Sequence, residues 1–457
     1  MMEDLLQLAL DSMSGQGVDF CDARFQRISD LSVRTLDGRL RQLSDRSVSG
    51  LALRARCGGG WGISSCTSLD RDSILAAAES ARRGALSARR DGPAIEAPAQ
   101  RGRHRAKVKI DPRSVSLEEK VAVTMDLDNA QYQDGLVNRS ASYVEEIREN
   151  TLMNSLGTQI SWEEVRSRLR AMSIAGEGGR LERYYDGPDA SAGFELVRDT
   201  DIDALGASTA AEAIRSLAAT RPPSGMMTAI SDPMVTGLLA HEVMGHASEA
   251  DEVVKNRSFL SNMVGKKVGS ELVTLVDDGS LIGAHGYIPF DDEGTPSSRN
   301  ALIEDGVYKG YIHDLETASQ MGVRPTGNGR AESFSRRSWV RMTNTFIEGG
   351  DCSLEEMIEG VKYGVLCEKM INGMEDPVGG GFEAKVLRGH LIENGQVTGL
   401  LRSFTLTGRA LEILGTVDAV GDDLRIDGGY CGKGIEDWVP VSSGGPHIRA
   451  RMILGGG

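Results

Sequence analysis

One segment, Asp232-Pro233-Met234-Val235-Thr236-Gly237-Leu238-Leu239-Ala240-His241-Glu242-Val243-Met244-Gly245-His246, joins a helix suited to burial to three groups that resist it. Asp232 can accept from the first free N–H groups of a helix, and Pro233 fits the first turn, where its missing N–H costs nothing. Met234 to Ala240 is almost wholly apolar and predicts a buried helix. Two imidazoles and a carboxylate at its end are costly to bury without partners. That conflict between an apolar helix and a polar end marks a site.

The spacing sets a condition on the site. Histidines four apart lie about 40° apart on a regular helix and can face one metal ion. His241 and His246 are five apart, which on a regular helix leaves them about 140° from a common face. The pair can chelate only if the helix is distorted, by a π-bulge or by unwinding at its end, and Gly245 offers backbone freedom for it. Glu242, next to the first histidine, can then receive a proton from a water activated by the metal. A catalytic zinc needs a third protein ligand. Cys431, His285, His313, His390, Glu249 and Glu252 are candidates. Cys431 lies in Gly428-Gly429-Tyr430-Cys431-Gly432-Lys433-Gly434, where the glycines let the backbone approach a metal closely and Lys433 would help hold a thiolate.

Outward from this segment the chain divides at Arg221-Pro222-Pro223-Ser224-Gly225. Before it, the pattern predicts an α+β region over 1–222, with a possible subdivision near the Pro-containing, basic stretch 89–112. Cys21 to Ser65 reads as a meander of short strands with a hairpin turn at Asp37-Gly38. Helices are predicted over 3–13, 70–88, 116–133 and 196–220, and strands over 142–150, 159–164 and 166–175. The basic run Arg101 to Lys107 has no interleaved aromatic residues and reads as a solvated loop. After it, 223–457 reads as a glycine-rich, mainly antiparallel β domain carrying the one metal-binding helix, with only Ser353 to Tyr363 clearly helical again.

Composition narrows the function. The 457 residues carry 51 basic and 66 acidic side chains, a net charge of −15, which argues against nucleic acid as a partner. Six cysteines without a CxxC pair predict a reduced, cytoplasmic chain. The acidic start lacks the basic region of a secretory signal, and no apolar stretch is long enough to span a membrane. The 56 glycines are about an eighth of the chain, well above the usual roughly 7%. Short glycine-punctuated strands suit a cleft where a peptide adds as an extra strand. No P-loop, dinucleotide fingerprint or G-x-S-x-G is present.

The hexad His241 to His246, followed by Glu249, Asp277-Asp278-Gly279, Asp291-Asp292-Glu293-Gly294-Thr295-Pro296, Pro325-Thr326-Gly327-Asn328-Gly329-Arg330, Arg341-Met342-Thr343-Asn344-Thr345 and Tyr430-Cys431-Gly432-Lys433, resembles the TldD/PmbA metalloprotease family, on its TldD-like, catalytic side. The likeness is dense from about residue 230 to 435. It implies a zinc ion held by His241, His246 and Cys431, with Glu242 as catalytic base. It implies a peptidase acting on unfolded or short peptides in extended form. It also implies pairing with a PmbA/TldE-like subunit in a heterodimer; a homodimer is the other possibility. Gly434-Ile435-Glu436 departs from the family pattern and touches only the local loop.

The remaining clusters read as structural. Asp291-Asp292-Glu293 is expected to be a turn with exposed carboxylates, Asn328 and Arg330 a structural turn or a hold on a peptide carbonyl or carboxylate. His285, His313, His390 and His447 are expected to be satisfied loop or strand histidines. Two other functions compete with the peptidase. One is a non-catalytic peptide-binding or assembly subunit with a structural metal, which would have no use for Glu242. The other is a thiol hydrolase using Cys431, which would survive removal of metal.

Overall fold

The computed structural model describes residues 2–15, 17–434 and 437–455. In chain order the N-terminal half comprises α1 (Met2–Met13), β1 (Phe20–Leu36), β2 (Arg39–Cys57), β3 (Gly60–Cys66), α2 (Arg71–Ser87), β4 (Arg101–His104), α3 (Leu117–Ala130), β5 (Leu136–Asn154), β6 (Gln159–Glu177), β7 (Arg180–Asp186), β8 (Asp189–Ala190), α4 (Glu195–Arg198) and α5 (Ile202–Arg215). Its sheet runs β3-β2-β1-β5-β6-β4, with β7 and β8 also on β6. Helices α1 and α2 bury Leu6, Ala9, Ile74 and Ala78 against Leu51, Leu53 and Ala55. Farther along the sheet, Leu127 of α3 and Phe194 cover Val33, Tyr143 and Leu169.

The strands are longer than the sequence suggests. The expected short runs of the meander are two antiparallel strands, β1 and β2, of 17 and 19 residues, turning at Asp37-Gly38 as predicted. The two segments split at Val165 form one 19-residue strand, β6. Charged residues that look like strand ends, such as Asp22, Arg54, Glu146, Arg148 and Arg166, lie buried inside the ladder and pair with one another or with the C-terminal half. The basic run is corrected too: Arg101–His104 is a strand, parallel to β6, rather than a free loop.

The C-terminal half comprises β9 (Gly225–Ser231), α6 (Pro233–Leu238), a π segment (Leu239–Gly245), α7 (Ala250–Val254), β10 (Leu275–Asp278), β11 (Arg299–Glu304), β12 (Val307–Tyr308), α8 (Leu315–Met321), β13 (Gly329–Arg330), β14 (Trp339–Val340), β15 (Asn344–Ile347), α9 (Leu354–Glu359), β16 (Tyr363–Asp376), β17 (Gly381–Glu393), β18 (Gln396–Leu401), β19 (Phe404–Arg409), α10 (Ala410–Gly415), β20 (Ala419–Val420), β21 (Arg425–Cys431), β22 (Val439–Gly445) and β23 (Ile448–Gly455). Strands β16-β9-β23-β19-β17 close on β16 as a barrel, and a second sheet runs β12-β11-β10-β15-β22-β21. Helices α7, α8 and α10 are additions to the single later helix expected from sequence. The whole is an α+β chain, as expected. Val235, Leu238, Leu239, Val243 and Met244 pack between barrel residues such as Phe382 and Phe404 and sheet residues such as Ile347 and Val441. The helix that carries the histidines is thus clamped from both sides.

The two halves interlock through buried charge. Arg24 pairs with Asp292, and Arg54 with both Asp22 and Glu293. Asp291 accepts from the Glu293, Thr295 and Gly329 N–H groups. The expected exposed turn is therefore a buried latch: its carboxylates answer arginines of β1 and β2 that no local pattern could have matched to them. No helix among the described residues is long and apolar enough to cross a membrane.

Candidate metal centre

Asp232 caps α6 as predicted, its side chain accepting from the Val235 N–H at 2.9 Å. The helix then widens into the π segment, and the N–H of His246 donates to the carbonyl of His241. That bond joins residues five apart and stacks them on one face, which meets the condition set by the spacing. The imidazole centroids lie 5.2 Å apart. The contribution of Gly245 differs from the expected one. Its backbone stays helical, and what matters is the missing side chain: a Cβ would stand 1.9 Å from Sδ of the buried Met342.

Cys431 reaches the histidines on an edge strand. β21 pairs antiparallel with β22 from Arg425 opposite Gly445 to Cys431 opposite Val439. β22 in turn lies backbone to backbone against α6, because a Cβ on Gly237 would meet the Gly444 nitrogen at 2.4 Å. This contact brings the last residue of β21 to the end of the helix. Cys431 Sγ lies 3.3 Å from His246 Nε2. One donor atom from each of His241, His246 and Cys431 falls within 4.8 Å of the others.

The electrostatics are those of a cation site. Burial alone would raise the Cys431 thiol, but the two imidazoles bring it well below its ordinary range. Burial works against protonating His246, yet Cys431 and Glu249 raise it well above the usual imidazole value. His241 Nδ1 is buried and has no hydrogen-bond partner among the described residues. Two imidazoles and a thiolate are the donor set of a tetrahedral zinc site with one position left for water. The residues fit the metal. Glu242 Oε2 stands 3.9 Å from His246 Nε2 with a fifth of its side chain exposed, so its carboxylate faces that imidazole and remains open to solvent. A cleft of about 850 Å³ opens at His246, walled also by Trp339, Pro377, Val378 and Lys433.

The other candidate ligands are placed elsewhere. Glu249 Oε2 sits 3.4 Å from the far nitrogen of His246, Nδ1, and so supports that ring instead of replacing Cys431. Glu252 pairs with Lys255 and Arg257. His313 contacts Thr317, His390 contacts Glu368, and His447 contacts Asp423, as satisfied histidines do. His285 departs from that expectation: it is buried beside Tyr430, with neither ring nitrogen hydrogen-bonded among the described residues. Lys433 does not support the thiolate; it donates to Glu249 Oε2 at 2.8 Å and Asp251 Oδ1 at 2.7 Å. Asn328 and Arg330 are spent inside the fold, on Asp277 and the Arg341 carbonyl, and on the carbonyls of Met342 and Pro440. Ile435 and Glu436, in the loop that departs from the family pattern, lie outside the described residues. Arg341 belongs to a motif of the family resemblance to which no role attaches in the sequence; its Nη2 donates to the Cys431 carbonyl at 2.7 Å.

Comparison with known proteins shows the family and the fold. The chain matches the PmbA/TldA metallopeptidase domain 1 over residues 21–85, the central domain over 110–217 and the C-terminal domain over 224–456. It is 32% identical over 444 residues to a metalloprotease of Methanothermobacter thermautotrophicus, covering 96% of each chain. It is 30% identical over 319 residues to a zinc metalloprotease TldD homolog of Saccharolobus solfataricus, covering 70% of this chain and 71% of that one. The crystal structure of TldE from Thermococcus kodakarensis shares the fold, with a TM-score of 0.81 at 21% identity over the full length of both chains.

Proposed function

The chain belongs to the PmbA/TldD metallopeptidase family, and from that premise we propose that it is a zinc-dependent peptidase hydrolysing unfolded or short peptides in extended form. The observation that carries this reading is the convergence of His241, His246 and Cys431, drawn from two distant parts of the chain, within 4.8 Å. These three residues would hold the metal. When bound, it supplies Lewis acidity toward a peptide carbonyl and a water molecule. Glu242 takes the proton of the attacking water and returns it to the leaving amine. Cys431 brings negative charge to the site, which tempers that acidity and favours modest turnover.

An extended substrate is supported by the edge position of β21. Tyr430 lies opposite Pro440, which has no N–H to offer, so this is a non-hydrogen-bonded pair of the ladder. The main-chain groups of Tyr430 therefore turn toward the free edge, next to Cys431. Two residues back the edge is already capped, with the Gly428 N–H donating to Asp189 and Arg168 donating to the Gly428 carbonyl. Backbone pairing at such an edge binds a peptide without reading its sequence. The family and the TldE-like fold support pairing with a homologous subunit, of PmbA/TldE type or a second copy.

The test is hydrolysis of a set of short unstructured peptides, followed by mass spectrometry. Cleavage that stops on chelation and returns with zinc is the expected result. Peptides that bind but stay intact would assign the chain to a non-catalytic role, and cleavage indifferent to chelation would assign it to thiol chemistry.

A further inference from the structure

Arg341 is fully buried, and a guanidinium in that position is costly unless its donors are well used. Its three nitrogens point to three places. Nη2 donates to the Cys431 carbonyl at 2.7 Å and Nη1 to the Asp437 carbonyl at 2.6 Å. Nε stands 3.6 Å from Glu249 Oε1, an ion contact longer than a hydrogen bond, and neither atom has a hydrogen-bond partner among the described residues. The other oxygen of Glu249 faces His246 Nδ1 at 3.4 Å and accepts from Lys433 at 2.8 Å. The guanidinium thus stands between the carboxylate behind the helix-borne ligand and the main chain of the strand-borne ligand.

We propose that Arg341 and Glu249 form a positioning pair that sets the distance between the two parts of the metal site, Glu249 orienting His246 and Arg341 tying that carboxylate to the strand of Cys431. The inference rests on His241, His246 and Cys431 being one metal site. The two ligand groups belong to elements with no sequence continuity, and β21 is an edge strand with a partner on one side only. Arg341 holds its last residue directly, by the Cys431 carbonyl, while Lys433 ties the chain two residues on to the same carboxylate. A lysine could keep the charge but not the fork that reaches two carbonyls and a carboxylate at once. A carboxylate behind a ligating imidazole also fixes which ring nitrogen faces the metal.

Cobalt(II) titration of the full chain separates positioning from mere packing, because the thiolate-to-cobalt charge-transfer band reports Cys431 and the visible bands report tetrahedral geometry. In the wild-type chain one cobalt with a charge-transfer band is expected; its absence would remove the metal site itself, and the pair with it. Glu249→Gln, nearly isosteric, is expected to weaken cobalt binding by roughly 10–100-fold while keeping the charge-transfer band. Arg341→Lys is expected to weaken binding by a similar factor and also to diminish that band. If Arg341→Lys does not fold, Glu249→Gln decides alone. Wild-type affinity and spectrum in the folded variants, with only a lowered melting temperature, would overturn the proposal.

Discussion

Glu242 and the two histidines were legible in the sequence because they contradict the helix that carries them. Nothing in an apolar run such as Met234 to Ala240 needs a carboxylate and two imidazoles at its end. Cys431 was not legible in that way: a cysteine between glycines is unremarkable until the resemblance supplies its partners. Glu249 was visible as a candidate ligand, and only the coordinates show that it serves His246 from behind. Arg341 stands 92 residues from Glu249 in the chain and had no local cue to its role. The substitution that belongs to this scale is Glu242→Gln. Turnover of a cleavable peptide should fall by roughly 10²–10⁴-fold, the usual weight of a general base. Bound metal, measured on the same sample, should stay at the wild-type level, since Glu242 is not among the ligands.

Among the elements, the π segment is where sequence arithmetic succeeded and its stated reason failed. The five-residue spacing demanded a distorted turn, and Leu239–Gly245 provides it. Gly245, however, is needed for Met342 and not for an unusual backbone angle. Gly245→Ala should therefore overpack a filled core and cost about 1–3 kcal/mol, read as a lowered denaturation midpoint at unchanged slope. An unchanged midpoint would mean that Met342 gives way freely. The long strands were the least legible elements. Alternation identifies a strand by its apolar face, and in β1, β2, β5 and β6 much of the buried face is charged. Arg54 and Arg166 look like surface residues until the carboxylates that meet them are seen.

At the scale of the whole molecule, two clusters of charge are among the contacts that hold the halves together. One is the latch of Arg24, Arg54, Asp292 and Glu293. The other centres on Glu368, which accepts from Arg388 at 2.8 Å and from Tyr184 at 3.2 Å, while Arg388 also pairs with Glu212 of α5. Burial pushes the Glu368 carboxyl up, but bonds from His390 and Arg388 outweigh it and hold it at about 2, against 4.5 ordinarily. A carboxyl depressed in the folded state stabilises that state above pH 4.5, and the benefit is lost as pH falls toward 2. Thermal melts across this window should show stability falling with acid in the wild type and a shallower fall in Glu368→Gln. Equal slopes would remove Glu368 from the acid response.

Two imidazoles and one thiolate sharing a single ion carry the proposed function. X-ray absorption at the zinc edge of the reconstituted chain tests that directly. One sulfur at about 2.3 Å with lighter donors at about 2.0–2.1 Å is predicted, and Cys431→Ser should abolish the sulfur shell. A first shell of nitrogen and oxygen alone in the wild type, or sulfur that persists in Cys431→Ser, would contradict it.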